Sequence, residues 1–139
     1  MADTISMTVS STAPDSKLTI TLDSQMIWQG DPYGSRSVDY VIPLHAARYR
    51  LCIIIEGKTS QHTQIIDSVR VRDLLVDIRQ ITVNGVDLDQ LITSLARYSH
   101  NFNGTGATVQ TKFFGTMGCN GQVDFEFRLP INFWVLENL

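Results

Sequence analysis

Polar and apolar residues alternate with a period of two along most of this chain. The clearest example is the segment 122–129, whose apolar positions are Val123, Phe125, Phe127 and Leu129. Shorter stretches with the same period lie at 4–9, 17–22, 38–44 and 49–55. Because side chains of a strand point alternately to its two faces, each stretch predicts a β-strand with one buried face.

Turn signals separate these strands. Asp23-Ser24 predicts a tight turn, and Asn84-Gly85 and Asn120-Gly121 each predict a hairpin. Within 69–83, read as one long strand region, the apolar positions change parity near Arg79-Gln80. One extra residue exchanges the two faces of a strand, so we expect a β-bulge there.

One segment has helical spacing. Its apolar residues lie at i, i+3, i+4 and i+7, which predicts one short helix near 88–95 with Asp87 as N-cap and Gln90 in a capping box. About eight strands and one helix predict an all-β fold, an antiparallel, jelly-roll-like β-sandwich. The chain is predicted to be a single domain, 1–139, with residues 1–16 considered as a flexible or strand-exchanging arm.

Composition narrows the function classes. The 139 residues carry a net charge of −3, and the 11 basic residues are scattered, which argues against nucleic-acid binding. No apolar run is long enough to span a membrane, and the N-terminus lacks the pattern of a secretory signal. We therefore expect production in a reducing cytoplasm, with Cys52 and Cys119 as free thiols.

Catalytic and metal-binding motifs are not found in the sequence. His45, His62 and His100 lie in three separate predicted loops, away from any recognisable nucleophile or metal motif. Asp87 and Asp89 offer carboxylate oxygens of the kind that bind calcium, but a role at the start of the helix is favoured. The sequence predicts no catalytic residues, no metal site and no cofactor, and so a protein that is not an enzyme.

Two loops carry residues suited to sugars. Aromatic rings stack on the C–H faces of sugars, and polar side chains bond their hydroxyls. In each loop a core role for the aromatic residue, at a strand end, is the favoured alternative. The candidate glycan-binding residues are Trp28, Asp31 and Tyr33 in the first loop and His100 and Asn101 in the second.

A last apolar cluster follows Pro130. Phe133, Trp134 and Leu136 lie in an almost unbroken apolar run. Such a run fits either an internal core strand, which is favoured by a narrow margin, or a contact with another subunit. These three residues are the candidate interface.

Two parts of the chain carry a family resemblance. The segment 76–89, with its Val-Asn-Gly turn, resembles the end of small jelly-roll carbohydrate-binding modules. The segment from Tyr98-Ser-His-Asn-Phe-Asn-Gly-Thr, through Phe114-Gly-Thr-Met-Gly-Cys-Asn-Gly, to Pro130 and Phe133–Asn138 resembles small structural proteins of tailed bacteriophages, T4-like and cyanobacterial ones in particular. Calcium ligands of the xylan-binding modules are not matched, since Glu56-Gly57-Lys58 occupies that region.

The resemblance implies a non-enzymatic virion protein, such as a capsid decoration protein or a tail or fibre component. Its partners would be other virion proteins or further copies of itself, with a host glycan as an additional partner. Its location would be the virion, after synthesis in the host cytoplasm. The alternative is a lectin-like carbohydrate-binding module.

Overall fold

A computed structural model describes residues 2–43 and 48–139 of the chain, with only the backbone of Arg70 and Val71. These residues form thirteen strands, two α-helices and a 3-10 turn at Ser60–His62. The strands are β1 (Asp3–Ser11), β2 (Lys17–Leu22), β3 (Gln25–Gly30), β4 (Arg36–Ile42), β5 (Arg48–Glu56), β6 (Gln64–Ile66), β7 (Val69–Arg72), β8 (Val76–Val83), β9 (Val86–Asp87), β10 (Arg97–His100), β11 (Val109–Lys112), β12 (Thr116–Met117) and β13 (Gly121–Arg128). The helices are α1 (Asp89–Leu95) and α2 (Ile131–Asn138).

Two antiparallel sheets pack face to face as a sandwich. The first has the order β12-β8-β1-β4, with β9 added beside β8, and the second has the order β11-β10-β13-β5-β2-β3. The remaining strands, β6 and β7, pair with each other in a separate hairpin. The all-β antiparallel sandwich predicted from the sequence is confirmed.

The period-two residues fill the space between the sheets. In β5 the buried residues are Tyr49, Leu51, Ile53 and Ile55, and in β13 they are Val123, Phe125 and Phe127. Leu129, beyond the end of β13, packs against this core only in part. Burial of these side chains contributes about 1.5–3 kcal/mol each, so the core holds the sheets together.

The predicted bulge is present in β8. Its pairing with β1 jumps from Ser6–Thr82 to Thr8–Arg79, and Gln80 has a positive φ of 57°. The Asp89 carboxylate accepts the N–H groups of Gln80 and Ile81 at 2.9 Å each. Asp89 is thus a structural acceptor that satisfies the backbone at the bulge.

The turns agree with the sequence at two of three places. Asp23 and Ser24, and likewise Asn84 and Gly85, have positive φ at both positions, as two-residue hairpins require. Asn120-Gly121 was predicted to be a hairpin, and this is wrong, because it joins β12 of one sheet to β13 of the other. A Cβ at Gly121 would lie 2.3 Å from the Ser99 carbonyl oxygen, so close approach explains that glycine.

Three further expectations are corrected. The region 69–83 forms two strands, β7 and β8, in different sheets. Residues 3–11 form β1, paired on both sides by β4 and β8, so this part of 1–16 is a central strand instead of an arm. Helix α1 begins without a side-chain cap, and the Asp87 carboxylate accepts the N–H of Asp89 at 2.8 Å.

The long pair β5–β13 defines the two ends of the sandwich. It runs in register from Arg48 opposite Arg128 to Ile55 opposite Gly121. Eight residue pairs at about 3.3 Å per residue separate these ends by about 23 Å. The chain leaves β5 toward the β6–β7 hairpin at one end, and α2 follows β13 at the other.

Candidate interaction surfaces

The predicted interface residues belong to a helix. The N–H of Trp134 donates to the Pro130 carbonyl at 3.3 Å in the first turn of α2. Ile131 and Trp134 are buried, and the Trp134 ring meets Phe125 edge-on at a centroid distance of 5.7 Å. The favoured prediction of a core strand is therefore wrong. Pro130 directly before the helix and the spacing of three between Ile131 and Trp134 are weak helical signals, because the apolar run as a whole has no clear period.

The structure divides the three interface candidates between two environments. Trp134 is 7% exposed and anchors α2 to the core, whereas Phe133 and Leu136 are 66% and 69% exposed. Apolar side chains at i and i+3 lie on neighbouring positions of one helix surface. Phe133 and Leu136 are therefore available to another molecule, and Trp134 is a fold residue.

A groove of about 530 Å³ lies beside α2, and the term "the groove" refers to it from this point on. Trp134 and Asn138 of α2 line it together with Leu95 at the end of α1, which is 41% exposed. The other lining residues are Arg48, Arg50, Asp124, Phe125, Glu126, Phe127 and Arg128. The groove thus joins an apolar wall to a charged face of the second sheet.

The arginines in the groove are unequally compensated. Arg50 donates two hydrogen bonds to Asp124, from Nη2 at 2.6 Å and Nε at 3.1 Å, and this interaction raises the pKa of the guanidinium. Arg48 and Arg128 face each other across β5 and β13, and within the described part of the chain neither forms an ion pair. Like charges opposite each other repel, and this pair shares the groove with the carboxylate of Glu126, which lies opposite Arg50.

One edge of β13 is open along the groove. Strand β10 pairs with β13 only as far as Arg97 opposite Asp124, while β5 continues beside it to Arg128. Among the described strands, none pairs with Phe125–Arg128 on the side away from β5. Alternate residues of such an edge present unpaired N–H and C=O groups, which can accept another strand.

The first predicted glycan loop is held by its own carboxylate. Asp31 accepts the N–H of Tyr33 at 3.0 Å through Oδ1 and the N–H of Asp15 at 2.9 Å through Oδ2. Trp28 lies opposite Ile20 and packs in part against the core. Only the Tyr33 side chain, about half exposed, is free of such a structural contact.

The second predicted glycan loop is also internally bonded. His100 accepts the N–H of Phe102 through Nδ1 at 3.2 Å, and the Asn101 side chain accepts the N–H of Gly104 at 2.8 Å. The His100 ring lies between the rings of Tyr98 and Phe102, at 4.8 and 4.7 Å. Burial of the Tyr98 hydroxyl against Cys119 raises the pKa of Tyr98 to about 12.

These two loops do not converge on one site. His100, Gly121, Ile55, Leu18 and Gly30 form one row across five neighbouring strands. With about 4.8 Å between strands, His100 and Gly30 lie about 19 Å apart. The five candidate residues therefore offer two separate small surfaces, and glycan binding at them stays a prediction.

A buried ion pair lies at the opposite end from the groove. The Lys58 ammonium contacts Asp73 at 2.6 Å and the Gly118 carbonyl at 2.5 Å, and both charged side chains are under 10% exposed. Burial raises the pKa of Asp73, but hydrogen bonds from Lys58 and Thr63 and the charge of Lys58 outweigh it and hold the pKa below its usual value. This pair fixes the base of the β6–β7 hairpin.

The β6–β7 hairpin is the surface that the sequence did not predict. Its turn residues, Asp67 and Ser68, both have positive φ, and its strands pair only with each other. Ile65, Ile66 and Val69 are 64%, 51% and 61% exposed. Neighbours in a strand point to opposite faces, so exposure of both Ile65 and Ile66 leaves both faces of the ribbon uncovered. The Asp-Ser turn flanked by β-branched residues was the available signal.

The remaining candidate side chains are His62 and the two cysteines. His62 accepts the N–H of Thr59 at 2.9 Å through Nδ1 and lies 3.1 Å from the Pro14 carbonyl through Nε2. Cys52 and Cys119 are free, and burial raises the pKa of the Cys52 thiol. His45 lies outside the described residues. Among the residues that are described, no three His, Cys, Asp or Glu side chains group as metal ligands, and no helix could cross a membrane.

Comparisons of the chain with protein-family models, with curated proteins and with solved structures found no match.

Proposed function

We propose that this chain is a non-enzymatic structural protein of a phage virion, such as a capsid decoration or tail-associated protein, that docks on other virion proteins. The observation that carries the proposal is the exposed apolar surface of α2, Phe133 and Leu136, held in place by buried Trp134. A surface of this kind on a rigid sandwich is suited to contact with protein.

Docking explains why α2 has exposed apolar side chains on one side and a buried Trp134 on the other. Exposed Phe and Leu side chains cost solubility unless a partner covers them. Many weak copies on a particle would give strong attachment together, so that each contact can be small. The groove beside α2 enlarges this surface and adds charge that selects a partner.

The alternative, a lectin-like module, has less support. The Asp31 carboxylate is engaged by two backbone N–H groups, and Trp28 packs in part against the core. A sugar would have to compete with those structural roles. A glycan array tests it, because saturable binding that is lost in Trp28→Ala would favour the lectin over the docking protein.

Mass spectrometry of purified particles tests the proposal directly. The chain should be present in stoichiometric amount, and its absence from particles would contradict the proposal. Phe133→Ser should reduce its incorporation at least tenfold. Phe114→Ser is the matched control, since Phe114 is equally exposed but lies away from α2, and it should be incorporated normally.

A further inference from the structure

We propose that the β6–β7 hairpin of one copy of this chain binds in the groove of a second copy, so that copies associate head to tail. The inference rests on the proposed function in that it names a partner for the α2 end. Its parts are two uncovered surfaces that lie toward opposite ends of the sandwich.

The hairpin is built to be covered. An isolated two-stranded ribbon is marginal in water without a packed face. This one leaves Ile65, Ile66 and Val69 exposed on a ribbon that joins neither main sheet. A partner that packs on it removes this apolar surface from water, which favours association.

Its base, by contrast, is fixed. Thr12 bonds the backbone of Asp73 and Leu75 through its hydroxyl and its N–H, at distances between 2.7 and 3.0 Å. The buried Lys58–Asp73 pair holds the same segment from the other side. An arm with a rigid base loses little conformational entropy when it binds, which favours association.

Charge supports the groove as the receptor, because each of the two surfaces carries groups of both signs that the other can pair with. Asp67 at the tip of the hairpin is exposed and forms no ion pair among the described residues. The groove holds the arginine pair Arg48 and Arg128 together with Glu126, and β7 of the hairpin carries arginines at positions 70 and 72. A carboxylate between two guanidinium groups accepts strong charge-assisted hydrogen bonds and removes their repulsion.

Shape and backbone chemistry agree with charge. The edge of β13 at Phe125–Arg128 is open, and the hairpin has strand edges that can pair with it. Leu95 and Trp134 form an apolar wall in the groove for the isoleucines. Each feature of the hairpin therefore has a counterpart in the groove. Asp67 can pair with the arginines, the isoleucines with the apolar wall, and a strand edge of the hairpin with the open edge of β13.

The geometry determines the kind of assembly. Hairpin and groove lie toward opposite ends of the β5–β13 pair, so the contact joins unlike surfaces. Such a heterologous contact closes a ring or continues as a filament. A nine-residue ribbon buries less than a standard interface of about 1,600 Å², so we expect a weak contact. Its dissociation constant should lie between about 10 µM and 1 mM.

Sedimentation of mixed variants tests the inference. Ile65→Thr/Ile66→Thr breaks the hairpin surface but keeps β-branched residues, and Arg128→Glu breaks the groove. Each variant alone should stay monomeric where the unaltered chain associates. Mixed in equal amounts they should form a complex of two chains and stop there, because one intact hairpin then meets one intact groove.

The controls change equivalent positions elsewhere. Val41→Thr replaces an equally exposed strand residue of β4, and Arg36→Glu makes the same charge change away from the groove. Both should associate as the unaltered chain does. An unaltered chain that is monomeric up to about 1 mM, or a hairpin variant that still self-associates, would overturn the inference. Detection of the chain in particles would be unaffected, so its failure is distinguishable from failure of the proposed function.

Discussion

In the part of the chain that the structure describes, the two ends of the sandwich differ in whether their charged side chains are buried and paired or exposed and unpaired. At the hairpin end, Lys58 and Asp73 are buried together. Lys58 also donates to the Gly118 carbonyl, and Asp73 also accepts from the Thr63 hydroxyl. At the groove end, Arg48 and Arg128 face each other in the open and form no ion pair within the described residues, although Glu126 lines the same groove. The first arrangement serves folding, because a buried charge needs its partner, and the second leaves attraction free for another molecule.

The same contrast holds for apolar side chains. Trp134 packs on Phe125, whereas Phe133, one residue earlier, lies in solvent. In the β6–β7 hairpin, the Thr12 hydroxyl donates a hydrogen bond to the Asp73 carbonyl at the base, whereas Ile66 and Val69 beside the turn are exposed. Each end therefore has a part that stabilises the fold and a part that the fold does not use, and mutations separate the two.

The largest expected effect is loss of the buried pair. Asp73→Asn leaves the Lys58 ammonium buried without a counter-charge and should lower the free energy of unfolding by about 3–5 kcal/mol, measured by urea denaturation. The double variant Lys58→Met/Asp73→Asn should recover part of the loss. Asp67→Asn, on the exposed tip and suited to its positive φ, is the control within about 0.5 kcal/mol. A small loss in Asp73→Asn would contradict the contrast between the ends.

A similar comparison within α2 follows. Trp134→Ala removes a buried indole and should cost about 3–5 kcal/mol of unfolding free energy. Phe133→Ala should change it by no more than about 0.5 kcal/mol, because that ring is already in water. Thermal or urea unfolding of both variants measures this difference. Equal losses would mean that Phe133 is also a fold residue.

Acid should destabilise the hairpin end. The folded pKa of Asp73 is below its unfolded value, so its contribution to stability is present above the ordinary carboxyl pKa of about 3.9 and is lost as pH falls through the lower folded value. The protection of the Thr63 and Leu74 amides against hydrogen exchange, taken relative to the intrinsic exchange rate at each pH, should fall below about pH 4. In Asp73→Asn this pH dependence should disappear, and its persistence would assign the effect to other carboxylates.

The smallest effect concerns the exposed arginines. Arg128→Gln removes a repulsion and should raise the free energy of unfolding by up to about 0.5 kcal/mol in dilute buffer. The gain should vanish near 1 M salt, where the Debye length is about 3 Å. Arg36→Gln should show no such salt-dependent gain. A stability loss in Arg128→Gln would reveal an internal partner for that guanidinium.

Sequence patterns predict the sheets well and the surfaces poorly. Period-two alternation identifies the buried faces of β5 and β13, and the parity change finds the bulge at Gln80, because burial follows directly from local spacing. The Asn120-Gly121 error arises because a turn motif is local, whereas the partner of a strand is chosen by the whole fold. Helix α2 is missed since its apolar run lacks a clear period.

The candidate surfaces are harder still. Trp28 and Asp31 are plausible glycan ligands in sequence, yet the carboxylate bonds the N–H groups of Asp15 and Tyr33. The groove combines residues from β5, β13 and both helices, which no local pattern brings together. The β6–β7 hairpin is recognised as an exposed apolar surface only from the structure, in which both faces of the ribbon are uncovered.

The most direct test of head-to-tail contact is an NMR titration with one labelled partner. The Ile65→Thr/Ile66→Thr variant, with its groove intact, is labelled with ¹⁵N, and unlabelled Arg128→Glu, with its hairpin intact, is added. The account predicts saturable shifts at the amides of Arg48, Glu126 and Arg128 and at the Trp134 indole, with the amides at positions 65–69 unchanged. Shifts confined to other surfaces, or none at about 1 mM, would contradict it.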